Sequence, residues 1–281
     1  MQSLKKTELM AGLRAQIAAL ETPPFQEEEG RFQLGLGAVD ARLPGGGLTR
    51  RGVHEVRAAS YGDMGAAIGF AAALATRAIY ASSYASGASG GKDRLIAWCQ
   101  QSWGAYDMGA LYGPGLAGFG IDPSRLLLVN PAREPDMLWA LEECVRAGVF
   151  AAVVGEVPAT SRHFNLRASR RLHLAAEDAS TPLILMRGFG ELESPSAALT
   201  RWCVSAASTV EEGSLRAIDR PSWQVDLEKC KGGRPFLSEL AWDACAGSFV
   251  SSVSEEYRGG DNQPSTPSSL PFLEKVSVYG T

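Results

Sequence analysis

The stretch LGLGAVDARLPGGGLTRRGVHEVRAASYGDMGAAIGFAAALA, residues 34–75, decides the fold. Within it, Leu43–Leu48 is a glycine-rich turn that leads into the short apolar segment Val53–Ala58, which predicts a buried strand. A polar loop follows, and a run of small residues then predicts a helix near 64–80. A strand, a loop and a helix in this order can hold phosphate, because backbone N–H groups and a helix N-terminus then face the same point.

Outward from this unit, short apolar segments alternate with amphipathic segments as far as Met186. The predicted strands are Val53–Ala58, Leu95–Cys99, Arg125–Val129, Ala151–Val157 and Pro182–Met186. Further helices are predicted near 134–147, with acids in its first turn and Gly148 as terminator, and near 166–179. Such alternation is typical of an α/β fold with a mostly parallel sheet flanked by helices.

After Met186 the period of the pattern changes to strict alternation. Trp202–Ala207, Trp223–Lys229 and Phe236–Trp242 are predicted strands, and Gly232 and Gly233 supply a turn between the last two. We expect them to extend the sheet in antiparallel fashion.

Three regions follow from these patterns. Residues 1–30 are predicted to be an N-terminal helix (3–20) with a linker, and residues 31–250 a core domain. Residues 251–281 are predicted to be a flexible tail, because 254–271 are polar and rich in Pro, Gly and Ser. The apolar end of that tail, PFLEKVSVYGT, either docks back on the core or offers a short linear motif.

Composition narrows the class of protein. The chain has 281 residues, 27 Lys and Arg against 31 Asp and Glu, and a net charge of -4, which argues against broad binding to nucleic acid. Its five cysteines include no CxxC pair, which favours free thiols in a reducing cytoplasm. No signal peptide is evident, and no apolar run is expected to approach the roughly 20 residues that cross a bilayer, so no membrane partner is predicted.

The predicted phosphate loop lacks the side chains that hold a nucleotide. In the pattern GxxxxGK[ST], Lys reaches the terminal phosphates and the hydroxyl holds magnesium. The corresponding residues here are Ser60, Tyr61, Gly62, Asp63, Met64, Gly65, Ala66 and Ala67. Ala66 and Ala67 can supply no cation and no metal ligand, and Asp63 repels phosphate, so the loop is predicted to serve as a turn with no cofactor.

Several segments together resemble a known family. They are LPGGGLTRRGVHEV (43–56), RLLLV (125–129), LWALEE (138–143), VVGE (153–156), RRLHLAAE (170–177), Trp202, Trp223, CKGGRP (230–235) and Trp242-Asp243. In this order, over residues 34–250, they resemble the ImuA family of damage-inducible mutagenesis proteins, which have a RecA-like P-loop NTPase fold.

The resemblance implies a partner set and two further catalytic positions. ImuA-like proteins act in the SOS response with an ImuB-type Y-family polymerase homologue and an error-prone C-family DNA polymerase, and RecA or DNA are further candidate contacts. In RecA-like ATPases, a Glu after the second strand activates water and an Asp after the fourth orients the metal. Here those positions read WCQQ (98–101) and VGE (154–156), so only Glu156 could substitute. Hydrolysis is therefore not expected.

Two basic segments are candidate contacts for DNA or a protein partner. The first carries Arg162, His163, Arg167, Arg170 and Arg171. It follows the fourth strand, where RecA-like domains carry a DNA-facing loop, although it could equally be a solvated helix face. The second is Lys229, Lys231 and Arg234, around glycines that let a backbone approach an anion, or a plain hairpin turn.

The remaining motifs predict no further site. Gly113–Gly118 matches GxGxxG but is predicted to be a loop, since Pro123 follows too closely for a long helix. The three histidines lack zinc-ligand spacing, so no metal site is predicted. Two alternative functions stay open: a SulA-like inhibitor of cell division, and a weak ATPase that uses Lys92 or Lys231 as a displaced lysine.

Overall fold

A computed structural model describes residues 30–85, 94–101, 109–190, 195–207 and 220–252. The predicted N-terminal helix over 3–20 and the predicted flexible segment 254–271 lie outside the described residues.

The fold is built on a nine-stranded mixed sheet, to which a two-stranded ribbon is added. The ribbon consists of β1 (Arg31–Phe32) and β2 (Leu48–Thr49), with the short helix α1 (Gly37–Asp40) between them. The elements that follow are β3 (Val53–Ala58), α2 (Met64–Ala85), β4 (Leu95–Cys99), α3 (Gly113–Gly118), β5 (Leu126–Val129), α4 (Glu134–Arg146), β6 (Phe150–Glu156), α5 (Leu166–Ala179), β7 (Leu183–Phe189), β8 (Thr200–Ala206), β9 (Ser222–Cys230), β10 (Phe236–Asp243) and β11 (Ser248–Ser251).

The strand order in the large sheet is β11-β10-β9-β8-β3-β7-β6-β4-β5. Strands β3 to β8 pair in parallel, and β9, β10 and β11 continue the sheet in antiparallel fashion. The predicted α/β class, parallel core and antiparallel extension are therefore confirmed. We call the edge where the parallel strands end the carboxyl edge, and the opposite edge, where they begin, the amino edge.

One face of the sheet is covered by α2 and an aromatic cluster. Alanines 71, 72, 73, 75 and 78 of α2 are fully buried, and their small size lets the helix lie close to the strands. The Phe70 ring lies 5.6 Å from that of Trp202, 5.7 Å from Trp223 and 5.4 Å from Phe249. These rings join α2 to the antiparallel half of the sheet.

The region of α2 contradicts the expectation that no apolar segment approaches the length that crosses a bilayer. Tyr61–Ala81 is a 21-residue segment of mean hydropathy 1.4, which is long and apolar enough to cross a membrane. Alanine and glycine are frequent in this segment, so it does not stand out in the sequence as an apolar run. In the fold, 61% of its apolar window is buried inside the protein, which is typical of the central helix of a packed core.

The other face of the sheet is covered by α4 and α5. Leu141 and Leu172 pack here with Val153, Leu183 and Leu185 of the strands. A Cβ at Gly155 would lie 2.4 Å from Leu141 Cδ2, so glycine lets α4 approach β6 closely. Gly148 has a φ of 66° after α4, which confirms it as the terminator.

Two local predictions were wrong or incomplete. Gly113–Gly118 is the short helix α3, with Pro114 in its first turn, rather than a loop. The helix has six residues and ends before Pro123, in agreement with the expectation that no long helix fits here. The ribbon strands were not predicted because two residues are too few to show a period.

Candidate functional site

The loop between β3 and α2 occupies the place of the predicted phosphate loop. Ser60 leads into a single 3₁₀ turn, Tyr61–Asp63, in which Gly62 is exposed, and α2 begins at Met64. The first turn of α2 carries Gly65, Ala66 and Ala67, of which Ala67 is completely buried. The strand, loop and helix are therefore in the predicted order, and methyl groups stand at the lysine and hydroxyl positions.

The side chain of Asp63 places a carboxylate in the loop and binds two donors. Its Oδ2 accepts from Ser60 Oγ at 2.6 Å, and its Oδ1 accepts from the backbone N–H of Ala206 at 2.9 Å. The hydrogen bond from Ser60, and then that from Ala206, lower the pKa of Asp63, so the carboxylate is charged at neutral pH. The loop thus carries its own anion beside the helix N-terminus and is tied to the end of β8.

Trp223 fixes the other side of the same turn. Its indole N–H donates to the carbonyl of Ala66 at 2.9 Å, and the side chain is almost fully buried. The first turn of α2 is therefore attached both to β8 and to β9.

The two segments in which catalytic carboxylates were expected from the sequence hydrogen-bond each other. Trp98 Nε1, at the end of β4, donates to Glu156 Oε1 at 2.9 Å, and Gln100 also hydrogen-bonds this carboxylate. Burial raises the pKa of Glu156, against the opposing effect of these hydrogen bonds. Among the described residues, no group of three or more His, Cys, Asp or Glu side chains could hold a metal ion.

The first basic segment divides into structural and exposed residues. Arg171 Nε lies 2.5 Å from Glu142 Oε2, and Arg146 lies 2.7 Å from the other oxygen, so Arg171 links α5 to α4. Arg167 and Arg170 are exposed on α5 and form no ion pair with a described residue. Arg162 and His163 are also exposed, in the segment after β6 at the carboxyl edge.

The second basic segment is the turn between β9 and β10. Cys230 pairs with Thr200 at the start of β8, which places the turn at the amino edge. Lys231 and Arg234 are exposed there, while Lys229 Nζ donates to the carbonyl of Ser196 at 2.9 Å.

His173 brings parts of the two segments together. Burial is the main cause that lowers the pKa of His173; Glu177 opposes it, and the charges of Lys231, Arg170 and Lys229 lower it further. Lys231, Arg170 and Lys229 therefore lie near His173, which is on α5. We call Arg167, Arg170, Lys229 and Lys231 the basic surface.

Comparison with known proteins gives one consistent relationship. No protein-family model matches the chain. Protein ImuA of Caulobacter vibrioides, from strain NA1000/CB15N and from strain ATCC 19089/CIP 103742/CB 15, is 33% identical over 214 residues, which are 73% of this chain and 80% of the relative. The chain belongs to the ImuA family. The resemblance drawn from the sequence is confirmed.

One buried charge cluster of this ImuA-family chain was missed by sequence analysis. Glu55 on β3 is fully buried and accepts from Arg187 NH1 at 3.3 Å and from Arg201 Nε at 2.8 Å. Arg187 also lies 4.0 Å over the Phe164 ring and donates to the carbonyl of Ala159 at 3.4 Å, so it anchors the segment after β6. The available signal was an acid within the otherwise buried strand VHEVRA.

His54, in the same strand, is structural. Its ring nitrogens lie 2.8 Å from Thr200 Oγ1 and 2.8 Å from the carbonyl of Thr49. Burial lowers its pKa to about 4, so the ring is neutral at physiological pH. Both nitrogens have partners within the protein, so His54 belongs to the core.

Proposed function

We propose that the chain is a non-catalytic, RecA-like accessory protein in damage-induced mutagenesis. In this role it acts with an ImuB-type polymerase homologue and an error-prone C-family polymerase in translesion synthesis. Family membership supports the pathway, and the resemblance supplies the partners. The observation that carries the non-catalytic role is the Asp63 carboxylate, which places a negative charge within the loop and is held there by Ser60 Oγ and by the backbone N–H of Ala206 in β8.

The RecA-like part of the proposal is supported by the position of the loop. It leaves β3, which lies between the parallel strands β7 and β8 in the middle of the sheet, and opens at the carboxyl edge. Ligand sites of open α/β sheets lie at this edge, where successive connections leave in opposite directions. On this proposal, the loop keeps the location of a ligand site, while Ala66 and Ala67 stand where the side chains for nucleotide chemistry would be.

The chemistry argues against hydrolysis. Phosphoryl transfer depends on positioned charges, and each such group is worth ~10²–10³ in rate. Alanines stand at the lysine and hydroxyl positions, and the expected water-activating position contributes an indole N–H to Glu156. Glu156, at the expected metal-orienting position, is already engaged by two donors, Trp98 and Gln100.

The structure also bears on the displaced-lysine alternative. Lys231 lies at the amino edge, about one strand length (~20 Å) from the loop at the carboxyl edge. A lysine side chain cannot span this distance. Lys92 lies outside the described residues.

We assign the basic surface to contact with nucleic-acid phosphates or acidic groups of the partners. Exposed Arg167, Arg170 and Lys231 present charges that no described residue neutralises, whereas Arg171 is held by Glu142. Phosphate contacts of this kind position a protein without reading sequence.

A complementation experiment tests the proposal. Cells that lack the gene are supplied with the wild-type chain, with Gly62→Glu or with Arg170→Glu/Lys231→Glu, and damage-induced mutation frequency is measured. Gly62 is exposed and a Cβ there meets only Ser60 Oγ, at 3.6 Å, so the new carboxylate beside Asp63 would block a phosphate without disturbing the fold. We expect full rescue by wild type and Gly62→Glu, and loss of rescue with the double reversal. Unchanged mutagenesis in the deletion strain would refute the pathway, and failure of Gly62→Glu alone would refute the non-catalytic role.

A further inference from the structure

An apolar groove of about 400 Å³ lies beside the loop Ser60–Ala67. One wall is α2, at Ile68 and Gly69, and another is α3, at Leu116 and the following Phe119. Trp223 of β9 forms the floor, and Tyr112, 72% exposed, stands at the rim. Such a groove suits apolar side chains, since only a few backbone polar groups face it.

The chain itself carries a segment of matching chemistry. Residues 271–279, PFLEKVSVY, supply two aromatic rings and three aliphatic side chains. They follow residues 253–270, which are polar and rich in Pro, Gly and Ser. Lys275 would also meet a charge of opposite sign, because the Asp63 carboxylate binds Ala206 in the groove wall.

The position where the described chain ends makes this segment the favoured occupant. Ser252 directly follows β11, and the ring of Phe249 in that strand lies 5.8 Å from the ring of Trp223. Strand β11 is two strand spacings, ~10 Å, from β9. A polar linker of roughly 20 residues has a root-mean-square span of ~25 Å, so its length is ample and the effective concentration at the groove is on the order of mM.

We infer that residues 271–279 dock in this groove of their own chain, with Phe272 or Tyr279 inserted between α2, α3 and Trp223. The docked segment covers the apolar surface next to the loop Ser60–Ala67. This inference goes beyond the accessory role, and its failure would leave that role intact.

Photo-crosslinking in the full 281-residue chain tests the docking. Benzoylphenylalanine replaces Phe272 in one protein and Tyr279 in a second, with replacement of Asn262 in the polar linker as the position control. After irradiation of dilute protein, we expect monomeric crosslinks from position 272 or 279 to residues 65–72, 111–119 or 221–223, and little from position 262.

A groove-filling substitution supplies the matched variant. A Cβ at Gly65, in the groove wall, has no atom within 4 Å, and the same holds for exposed Gly118, which does not line the groove. We expect Gly65→Trp to lower the crosslink yield by about tenfold, because the indole takes the volume of the anchor, whereas Gly118→Trp leaves the yield unchanged. Circular dichroism confirms that both fold.

Each contrary outcome overturns the inference. Crosslinks that join two chains would make a second copy the occupant, and crosslinks to other surfaces would place the segment elsewhere. Absence of crosslinks from both 272 and 279, or equal yields with Gly65→Trp and wild type, would show that the groove does not hold this segment.

Discussion

The loop Ser60–Ala67 and the basic surface treat charge in opposite ways. In the loop, the charge of Asp63 is satisfied by Ser60 and by the end of β8. On the basic surface, Arg167, Arg170 and Lys231 point to solvent, and no described acid pairs with them. A surface whose polar groups are already hydrogen-bonded gains little binding free energy from a ligand. Exposed cations without a partner gain binding free energy when an anionic ligand contacts them. We therefore expect ligands to bind at the basic surface rather than at the loop.

The largest expected effect is a loss of stability when Trp223, which binds the first turn of α2, is replaced. Trp223→Ala removes a buried indole that packs on Phe70 and Phe249, and we expect it to cost ~3–5 kcal/mol in the free energy of unfolding. Trp223→Phe keeps most of the packing but loses the hydrogen bond to Ala66, and should cost about 1–2 kcal/mol. Urea denaturation measures both. Equal stability of the Phe variant and wild type would mean that the indole N–H does not help to close the loop.

The next effect concerns ligand binding at the basic surface. Arg170→Glu/Lys231→Glu should weaken binding of a single-stranded oligonucleotide at least about tenfold and reduce the slope of log K against log salt, because each lost phosphate contact removes about 0.7 from that slope. Fluorescence anisotropy at several salt concentrations gives both quantities. Asp63→Asn serves as the control and should leave binding within about twofold, since no phosphate contact is lost. A wild-type affinity that does not change with salt would remove phosphate from the list of ligands.

Arg170 and Arg171 are neighbours on α5, and we expect their replacement to affect stability differently. Arg171→Ala should cost about 1 kcal/mol of stability, because Glu142 is only 8% exposed and would keep Arg146 alone as its partner. Arg170→Ala should change stability by less than about 0.5 kcal/mol, since Arg170 is exposed and unpaired among the described residues. Thermal unfolding compares them, and the reverse order would mean that the two side chains exchange roles.

The smallest expected effect is a pH dependence at the loop. The folded-state pKa of Asp63 is lowered, so its charge stabilises the fold above the unfolded-state pKa of ~3.9 and this contribution is lost as pH falls through the folded value. Asp63→Asn should therefore be less stable than wild type by about 1 kcal/mol or less at pH 7, because solvent screens the site, and the difference should shrink below pH ~4. Urea midpoints at pH 7 and pH 3 measure it. A constant difference would assign the effect to packing.

Local patterns predicted most of the fold. β3, β4 and α5 have the predicted bounds, because apolar segments and the Asn165 cap, whose Oδ1 accepts from Ala168 N–H, mark them locally. The replacement of lysine and hydroxyl by Ala66 and Ala67 was equally readable.

The remaining features depend on contacts between residues far apart in sequence. Glu55 is separated by 132 residues from Arg187, and Trp98 by 58 from Glu156, so no local pattern could pair them. Sequence also could not distinguish Arg171 from Arg170, because the difference depends on where α4 places Glu142.

The most direct test of the central claim is a calorimetric titration of the full chain with ATP and magnesium, with Gly62→Glu as the matched variant. If the loop is satisfied by Asp63, neither protein will bind ATP more tightly than about 1 mM. A micromolar affinity in the wild-type chain that Gly62→Glu abolishes would contradict the account, because it would show that the loop still holds a nucleotide.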